Sequence, residues 1–473
     1  MNRTKDKYDV VIIGAGIGGL VCGCYLARSG LNVLIAEKNN RVGGCCVSFT
    51  RKGVRFDAGA HVFGSCEDGD VFNNLLKRLG VSQDFTKISQ YENIFISGKK
   101  IFTGGDLNEY LTILQSSFKS ESLSIVKFFD ELMDISKHPR SAHERYRKVT
   151  YQELLDRHFR DNELKAILSI HAGYIGVPPE RVSAVAMCTM LYSYLKNGAY
   201  YPSGGASKLS DKLADRFKFF GGELRLNMKV DSILIKSGRA YGVVVTDIQE
   251  NNREIYADSI VSNIDASKTF FNLIGANLLS QNFKNRIKNF KETPSVSILY
   301  LGVDVSNDVV KEKTGWHYES CDINKGMTDC LYVTSPSLYD LSAAKNKTQA
   351  VQVFCLTAYP AVNELANYKL YKESLEQKML ERFFTIMPEA KDKLMIKDSA
   401  TPVTIEKYTG NKNGSAYGWS LTLGQFEQNE AISEDLIPNI HLAGHWTNPG
   451  GGVSAVSISG YVVAKRIMIK NEK

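Results

Sequence analysis

The chain has 473 residues, of which 43% are hydrophobic, and a formal net charge of +7. This length exceeds what one ordinary core fills, so the sequence predicts two or three domains with a sizeable buried core. Because the positive excess is not clustered and lacks interleaved aromatic residues, we exclude nucleic acid as a partner. The nine cysteines form no spaced framework, which favours reduced thiols over disulfides.

The first recognisable unit is a strand, a glycine turn and a helix. Val10 to Ile13 is an unbroken β-branched run, which is typical of a strand buried on both faces of a parallel sheet. A G-x-G-x-x-G turn follows, and a helix is predicted from Leu20 to Arg28. Such a turn lets backbone amides and the positive end of the helix approach a pyrophosphate. The residues predicted to line this phosphate site are Gly14, Gly16, Ile17, Gly18 and Gly19.

A second strand, from Asn32 to Ala36, ends in an acidic residue. Glu37 lies roughly 20 residues beyond the glycines, where a carboxylate binds the ribose of a dinucleotide, and Lys38 follows it as a further cofactor-binding candidate. The alternative is a glycine-rich turn in an ordinary α/β sheet, but that interpretation leaves Glu37 without a role. We therefore predict a Rossmann-like dinucleotide-binding unit.

The same stretch is apolar enough, from Val10 to Ala27, to be mistaken for a membrane-spanning or signal segment. Its four turn glycines would weaken a membrane helix, and charged residues follow it rather than a cleavage site. The sequence therefore predicts a soluble, cytoplasmic chain. Its mild positive charge leaves contact with an anionic membrane surface open.

Two further glycine motifs follow the acidic residue. Arg41 precedes Gly43 and Gly44, an arrangement that suits a guanidinium and backbone amides closing over a pyrophosphate. Residues 56–59 are predicted to form a short strand that turns towards the far end of the cofactor at Gly59 and Ala60. With G-x-G-x-x-G, an acid and R-x-G-G in this order, the chain resembles the large family of flavin amine oxidases and phytoene desaturases. The resemblance implies FAD as the cofactor.

The next hundred residues change to a helical pattern. A hairpin is predicted from Tyr91 to Thr103, and apolar residues then recur at helical spacing. The predicted helices are Leu107 to Phe118, Ser122 to Ile135, Tyr151 to Phe159, Glu163 to Ala172 and Pro179 to Leu195. The last of them is apolar nearly all round, which favours a buried core helix over a membrane contact.

We predict that this helical insertion and a later mixed sheet form a long apolar tunnel. The predicted lining consists of Val182, Val185, Met187, Met190, Leu191 and Leu195. A neighbouring basic run would meet anionic headgroups, and it consists of Lys137, His138, Arg140, His143, Arg145, Arg147 and Lys148. A core helix beside a solvated loop explains the same pattern equally well.

The segment from Tyr200 to Asn263 begins with Tyr-Pro-Ser-Gly-Gly and continues as a helix and several strands. This pattern resembles the phytoene desaturase family, in which such a segment precedes a valine whose backbone meets the adenine. The resemblance assigns that role to Val230. Without the flanking motifs, an ordinary extension of the sheet would explain the pattern equally well.

A second, mixed sheet is predicted to bind substrate. Its strands are expected at Ser295 to Val303, Cys330 to Thr334, Ala350 to Ala358 and Val403 to Tyr408. The predicted fold class is α/β, with a Rossmann-like FAD-binding domain, a discontinuous mixed-sheet substrate domain and a helical insertion. The FAD-binding domain is expected to take residues 1–90, 201–290 and 436–473, and the substrate domain residues 91–200 and 291–435.

The C-terminal stretch from Ile440 supplies a second predicted cofactor site. A strand, an elbow and three glycines precede a helix, whose N-terminus suits negative charge near flavin N1. The stretch is similar to the C-terminus of phytoene desaturases and carotenoid isomerases, which implies cofactor contacts at Gly444, Gly452 and Val453. Many flavin amine oxidases carry an acid after this first glycine. This chain has His445 instead, which weakens the amine oxidase interpretation.

The resemblance implies an FAD-dependent oxidoreductase that acts on carbon–carbon bonds of a long apolar, isoprenoid or carotenoid-like substrate. Desaturation, saturation and cis–trans isomerisation need the same hydride position at flavin N5 and few acid–base residues. No metal cluster or catalytic triad is recognisable in the sequence.

His61, His445 and Trp446 are the catalytic candidates, expected to flank the flavin ring. A structural role explains each of them about equally well. Two alternatives to the whole interpretation stay open: a flavin amine oxidase and, from another class, a non-catalytic prenyl-binding escort protein. The sequence leaves the substrate, the reaction direction, the electron acceptor and the oligomeric state undetermined.

Overall fold

The computed structural model describes residues 7–88, 93–103, 106–322, 324, 330–432 and 437–471. Numbered in chain order, the strands are β1 Lys7–Ile13, β2 Val33–Ala36, β3 Ser48–Arg51, β4 Val54–Asp57, β5 Phe63–Gly64, β6 Phe85–Lys87, β7 Asn93–Ile96, β8 Lys99–Phe102, β9 Ala199–Pro202, β10 Glu223–Arg225, β11 Lys229–Lys236, β12 Arg239–Thr246, β13 Asn252–Ser262, β14 Ser295–Val303, β15 Gly315–Tyr318, β16 Cys330–Thr334, β17 Gln349–Thr357, β18 Leu394–Ala400 and β19 Ile440–Leu442.

The α-helices are α1 Ile17–Arg28, α2 Val71–Leu79, α3 Leu107–Ser117, α4 Ser122–Lys137, α5 Pro139–Tyr146, α6 Tyr151–His158, α7 Asn162–Ser169, α8 Ala184–Asn197, α9 Ala206–Phe219, α10 Ala266–Lys268, α11 Gln281–Asn289, α12 Asn307–Lys313, α13 Pro336–Tyr339, α14 Val362–Ala366, α15 Tyr368–Ile386, α16 Pro402–Thr409, α17 Leu423–Ile432 and α18 Val453–Asn471. A π-helical turn, Thr269–Gly275, continues α10.

The first sheet has the strand order β10, β2, β1, β13, β12, β11, and β19 also pairs with β13. The pairs among β10, β2, β1, β13 and β19 are parallel, whereas β11, β12 and β13 pair antiparallel. Val10 and Ile12 pack on one side of the sheet and Val11 and Ile13 on the other. Burial on both faces explains why this strand is an unbroken apolar run.

The second sheet has the order β18, β14, β17, β16, β15, β7, β8. The β7–β15 pair is parallel and the others are antiparallel. On one face, Leu299 and Leu301 pack with Phe383 of α15. On the other face, Tyr300 and Phe354 belong to the same core as the helical insertion. This second face, turned towards the insertion, borders the cavity described below.

The α/β class with two mixed sheets is confirmed. The first sheet draws its strands from residues 7–36, 223–262 and 440–442, and the second from residues 93–102 and 295–400. The domain boundaries given above remain a prediction. No helix in the described part of the chain combines the length and the apolar character needed to cross a membrane.

One predicted strand is wrong. The segment Val403 to Tyr408 forms part of helix α16, because Thr401 caps the helix and Pro402 occupies its first turn. A β-branched run favours a strand locally, but Pro at the first helical position and a threonine cap are start signals for a helix. Strands β15 and β18 of the second sheet were not predicted.

Candidate active site

A cavity of about 1930 Å³ runs between the two sheets and the helical insertion. Ligand pockets for drug-sized molecules are typically about 300–1,000 Å³, so this cavity can hold a large cofactor and a substrate together. One half is lined by the glycine turns of the first sheet. The other half is lined by α8, by the second sheet and by residues 416–426.

The glycine turn after β1 forms the floor of the first half. Gly16 precedes α1 as its N-cap and has no side chain to bond the first-turn amides, which leaves these amides for a ligand. The turn is held to the R-x-G-G motif because the Gly43 N–H donates to the Ala15 carbonyl at 2.8 Å. Gly43 has φ of +115°, a conformation that other residues rarely adopt. Gly14, Gly16, Ile17, Gly18, Gly43 and Gly44 line the cavity.

Gly19 does not line the cavity but packs against its own turn. A Cβ at this position would lie 2.3 Å from the Gly14 carbonyl oxygen. The third glycine of the motif is therefore required for close packing of the helix on the strand.

Asn263, which no motif marks, joins the two predicted cofactor segments. It follows β13, and its Nδ2 donates to the Gly14 carbonyl at 3.3 Å. A Cβ on Gly18 or on Gly444 would lie 2.7 Å from Asn263 Oδ1. The side chain thus fills the gap between the N-terminal turn and the C-terminal elbow, and we add it to the cofactor-binding candidates.

Glu37 lies at the end of β2, where the sequence predicts the ribose contact. Its carboxylate is buried and accepts hydrogen bonds from the N–H groups of Ala15 at 2.8 Å and Asn39 at 2.9 Å. The remaining lone pairs of the two oxygens are left for ribose hydroxyls. Lys38 donates to the Lys407 carbonyl, and burial lowers the pKa of Lys38.

Arg41 and Val230 lie along the same half of the cavity. The Arg41 guanidinium is exposed and donates to the Ser48 carbonyl at 3.3 Å. Val230 belongs to β11, next to a register shift in its pairing with β12. Both residues line the cavity, and their contacts with pyrophosphate and adenine remain predictions.

Residues 59–61 form another part of the cavity wall. The Ala60 N–H donates to the Cys45 carbonyl at 3.1 Å. His61 Nδ1 lies 2.8 Å from the Gly59 carbonyl, so this nitrogen carries the proton. The His61 ring stacks on Phe354, with centroids 4.2 Å apart. The structure therefore places Gly59, Ala60 and His61 together in the cavity.

His445 stands at the C-terminal elbow, after Gly444. Gly444 has φ of +93° and its N–H donates to Ser459 Oγ at 3.2 Å. Burial lowers the pKa of His445 to about 4, so the ring is neutral at physiological pH. A neutral ring can hydrogen-bond a flavin or a substrate, but it cannot serve as a resident cation. Its Nε2 is buried and has no hydrogen-bond partner within the described residues.

Trp446 has the contacts of a structural residue. Its indole N–H donates to Asn411 Oδ1 at 3.1 Å, and its ring meets Trp419 edge to face at 4.8 Å. The side chain lines the cavity but is almost fully buried. The indole N–H is thus already used, which favours a role in holding the elbow over one in catalysis.

The last predicted cofactor residues, Gly452 and Val453, start helix α18 at the edge of the cavity. Beside them lies Tyr417, a cavity residue that the sequence did not indicate. A Cβ on Gly451 would lie 3.0 Å from Tyr417 Cβ, and burial raises the pKa of the Tyr417 phenol. Tyr417 is therefore a neutral phenol next to the C-terminal glycines.

The second half of the cavity is mostly apolar and aromatic. Of the six lining residues predicted in the insertion, Val185 and Met190 line it. The prediction is wrong for the other four, which pack into the core of the insertion: Val182, Met187, Leu191 and Leu195. The period of a helix that is apolar all round does not reveal which face meets a cavity. Further lining comes from Tyr174, Tyr194, Val296, Tyr300, Phe354, Leu421 and Phe426.

Within the described residues, no group of three or more His, Cys, Asp or Glu side chains could hold a metal ion. The glycine turn without side chains, the buried carboxylate at the end of β2 and the two helix N-termini instead fit a dinucleotide.

Comparison with known proteins agrees with this geometry. The chain is 24% identical to human all-trans-retinol 13,14-reductase, over 94% of this chain and 83% of that protein. It is also 24% identical to the chloroplastic prolycopene isomerase of Daucus carota, over 99% of this chain and 81% of that protein.

Two solved structures share the fold. An oxidoreductase from Methanosarcina mazei has a TM-score of 0.70 at 18% identity, over 97% of this chain and 100% of that one. Putrescine oxidase bound to putrescine has a TM-score of 0.69 at 17% identity, over 98% of this chain and 99% of that one. Residues 17–468 match the family described as flavin containing amine oxidoreductase. The chain belongs to this family and is an FAD-dependent oxidoreductase.

Proposed function

We propose that this oxidoreductase acts on carbon–carbon bonds of a long apolar substrate of the isoprenoid or carotenoid class. The observation that carries the proposal is the second half of the cavity, whose wall is built from aliphatic and aromatic side chains. A polyene offers few polar groups, so its affinity must come from burying apolar area at roughly 25 cal/mol per Å². A long concave apolar wall meets that requirement.

The two named relatives support the same substrate class. One is named for retinol and the other for prolycopene, and both of these molecules are polyenes. The two names also describe different reactions, a reduction and an isomerisation. We therefore propose the class of substrate only. Desaturation, saturation and isomerisation are the reactions that the experiment below distinguishes.

Among its described residues, the wall offers an amine aromatic faces but no buried carboxylate. An ammonium group in a cavity needs a carboxylate or an aromatic face to replace its water, so the wall could supply only the second of these. Outside the nucleotide half, the carboxylates among the described lining residues are Glu144, which is exposed, and Asp398, which pairs with Arg51 at 2.8 Å. No carboxylate in the described wall is buried and unpaired for an amine.

When bound, FAD supplies the acceptor or donor of a hydride. The protein's own residues orient the substrate and exclude water from the reacting carbons. His61 and Tyr417 are the polar side chains that we propose to touch the reacting region. The neutral ring of His445, at the elbow, is available to hydrogen-bond the flavin or the substrate.

The test is anaerobic incubation of the purified protein with candidate polyenes, once with the flavin oxidised and once with the flavin reduced by dithionite, and with benzylamine and putrescine as amine controls. We expect a polyene to change the flavin absorbance or to be converted to a product. A product mass that differs by two hydrogens indicates a redox reaction, and an unchanged mass with a new elution time indicates isomerisation. Anaerobic reduction of the flavin by the amines, with hydrogen peroxide released once air is admitted, and no conversion of any polyene would overturn the proposal.

We also propose that the substrate enters from a membrane surface beside the insertion. His143 and Glu144 of α5 line the cavity, so this helix borders its opening. Part of the predicted basic run is already paired, because Arg145 pairs with Asp134 at 2.6 Å and His138 contacts the same carboxylate at 3.2 Å. The side chain of Arg140 lies outside the described residues. Lys137 and Lys148, at the two ends of the run, are exposed.

Charge reversal at these two lysines tests the membrane proposal. Lys137→Glu with Lys148→Glu is expected to weaken co-sedimentation with anionic vesicles about tenfold or more, since each basic residue near an anionic surface contributes about 1 kcal/mol. Lys236→Glu with Lys347→Glu is the matched control, because it makes the same charge change at exposed sites outside the cavity lining. Equal loss of vesicle binding in both double variants would show that binding depends only on the net charge of the protein, and it would contradict the membrane proposal.

A further inference from the structure

The backbone of Asp57, at the end of β4, is paired with a buried side chain from the second sheet. The Asp57 N–H donates to Gln352 Oε1 at 3.2 Å, and Gln352 Nε2 donates to the Asp57 carbonyl at 2.6 Å. Gln352 is fully buried. A buried amide is costly unless its polar atoms are bonded. Here the side chain bonds both backbone groups of one residue and so fixes where β4 ends.

Two neighbours of Gln352 hold the residues that follow. Tyr300 lies directly opposite Gln352 in the β14–β17 register, and its hydroxyl donates to the Ala58 carbonyl at 2.9 Å. Phe354 lies two residues along β17, and its ring stacks on His61 with an interplanar angle of 28°. Side chains two apart on a strand share one face of a sheet. We call this row, Tyr300, Gln352 and Phe354, the clasp.

We propose that the clasp positions His61 in the cavity and thereby tunes the bound FAD. The clasp fixes the chain at Asp57, at Ala58 and at the His61 ring, so the intervening residues 59 and 60 have little freedom. Gln352 does not line the cavity, so it would act only through the segment that it holds. It is therefore a positioning residue, and its effect must disappear when His61 is removed.

The opposite face of the same sheet offers a control. Leu301 follows Tyr300 on β14 but points to the other side, where it packs with α15 and is fully buried. Truncating Leu301 would destabilise the second sheet, because it leaves a cavity in the core beside α15. Within the described residues, the Leu301 side chain packs in the cluster with α15 and not in the one that contains Tyr300 and Phe354. A measurement that depends only on the stability of the sheet would change in Leu301→Ala as well as in a variant of the clasp.

The experiment measures the midpoint potential and the visible spectrum of the FAD bound to each variant, which needs no substrate. Gln352→Met keeps the length of the side chain and removes both hydrogen bonds. We expect it to retain stoichiometric FAD and to shift the potential in the same direction as His61→Ala. In the double variant we expect the potential of His61→Ala with no further shift, because coupled residues are not additive.

Leu301→Ala should lower the melting temperature and leave the potential and spectrum unchanged. Additive shifts for Gln352→Met and His61→Ala, or an unchanged potential in Gln352→Met, would overturn the proposal. If Gln352→Met does not fold, Tyr300→Phe replaces it, since this variant removes only the hydroxyl that donates to the Ala58 carbonyl. The same expected and contradicting outcomes then apply to Tyr300→Phe.

Discussion

Gly16→Val is expected to purify as colourless protein without FAD. The Gly16 backbone has φ of −69°, which any residue can adopt, so the effect comes from the side chain. Gly16 lines the cavity, and a Cβ there would lie 2.9 Å from Asn263 Nδ2. A valine would therefore fill the space that a pyrophosphate needs and displace Asn263. The measurement is the ratio of absorbance at about 450 nm to that at about 280 nm after purification.

Two further variants distinguish a clash with the pyrophosphate from the displacement of Asn263. Gly424→Val is the matched control, because a Cβ at this exposed position meets no atom within 4 Å, and it should remain yellow. Gly16→Val combined with Asn263→Ala removes the clash with the protein but not the one with the phosphate. We expect this double variant to be colourless as well. A yellow Gly16→Val protein with unchanged affinity would place the cofactor elsewhere.

The cofactor half of the site could be predicted because its signals are local. The strand, turn and helix from Val10 to Arg28 lie within 19 consecutive residues, and both the apolar period and the glycine spacing are visible there. Glu37 follows at the distance that the βαβ unit fixes. The structure places these residues along one cavity, where the motif requires them.

The residues that the sequence missed depend on contacts between distant parts of the chain. Asn263 bonds a turn 249 positions away, and Gln352 bonds a residue 295 positions away. A single asparagine or glutamine has no periodicity or motif that would indicate such a partner. Their roles arise only when β13 pairs with β1 and when the second sheet meets β4.

The Asp57 side chain is expected to make the largest single contribution to stability at the junction of the two sheets. The carboxylate is fully buried and accepts hydrogen bonds from Ser48 Oγ at 2.6 Å, Tyr201 OH at 2.6 Å and the Ala206 N–H at 2.9 Å. Asp57→Ala removes the acceptor of three donors, of which the Tyr201 hydroxyl and the Ala206 N–H are buried, and creates a cavity. We expect the free energy of unfolding to fall by roughly 3–5 kcal/mol.

Urea unfolding followed by circular dichroism measures this loss. Asp215→Ala is the control, because the Asp215 side chain is 78% exposed and its removal should cost less than about 0.5 kcal/mol. Equal unfolding midpoints for the two variants would show that the buried network around Asp57 contributes nothing to the fold.

The pH dependence of Asp57→Asn gives an independent check of the same carboxylate. Burial raises the pKa of Asp57 above its ordinary value of 3.8, against the opposing hydrogen bonds. A carboxyl whose pKa is raised by folding contributes stability that is fully present below the unfolded pKa and is lost as pH rises through the folded pKa. Asparagine does not titrate. The stability difference between the wild type and Asp57→Asn should therefore be larger at about pH 4.5 than at about pH 7.5. A difference that grows with pH would mean that the buried network stabilises the ionised carboxylate more than burial disfavours it.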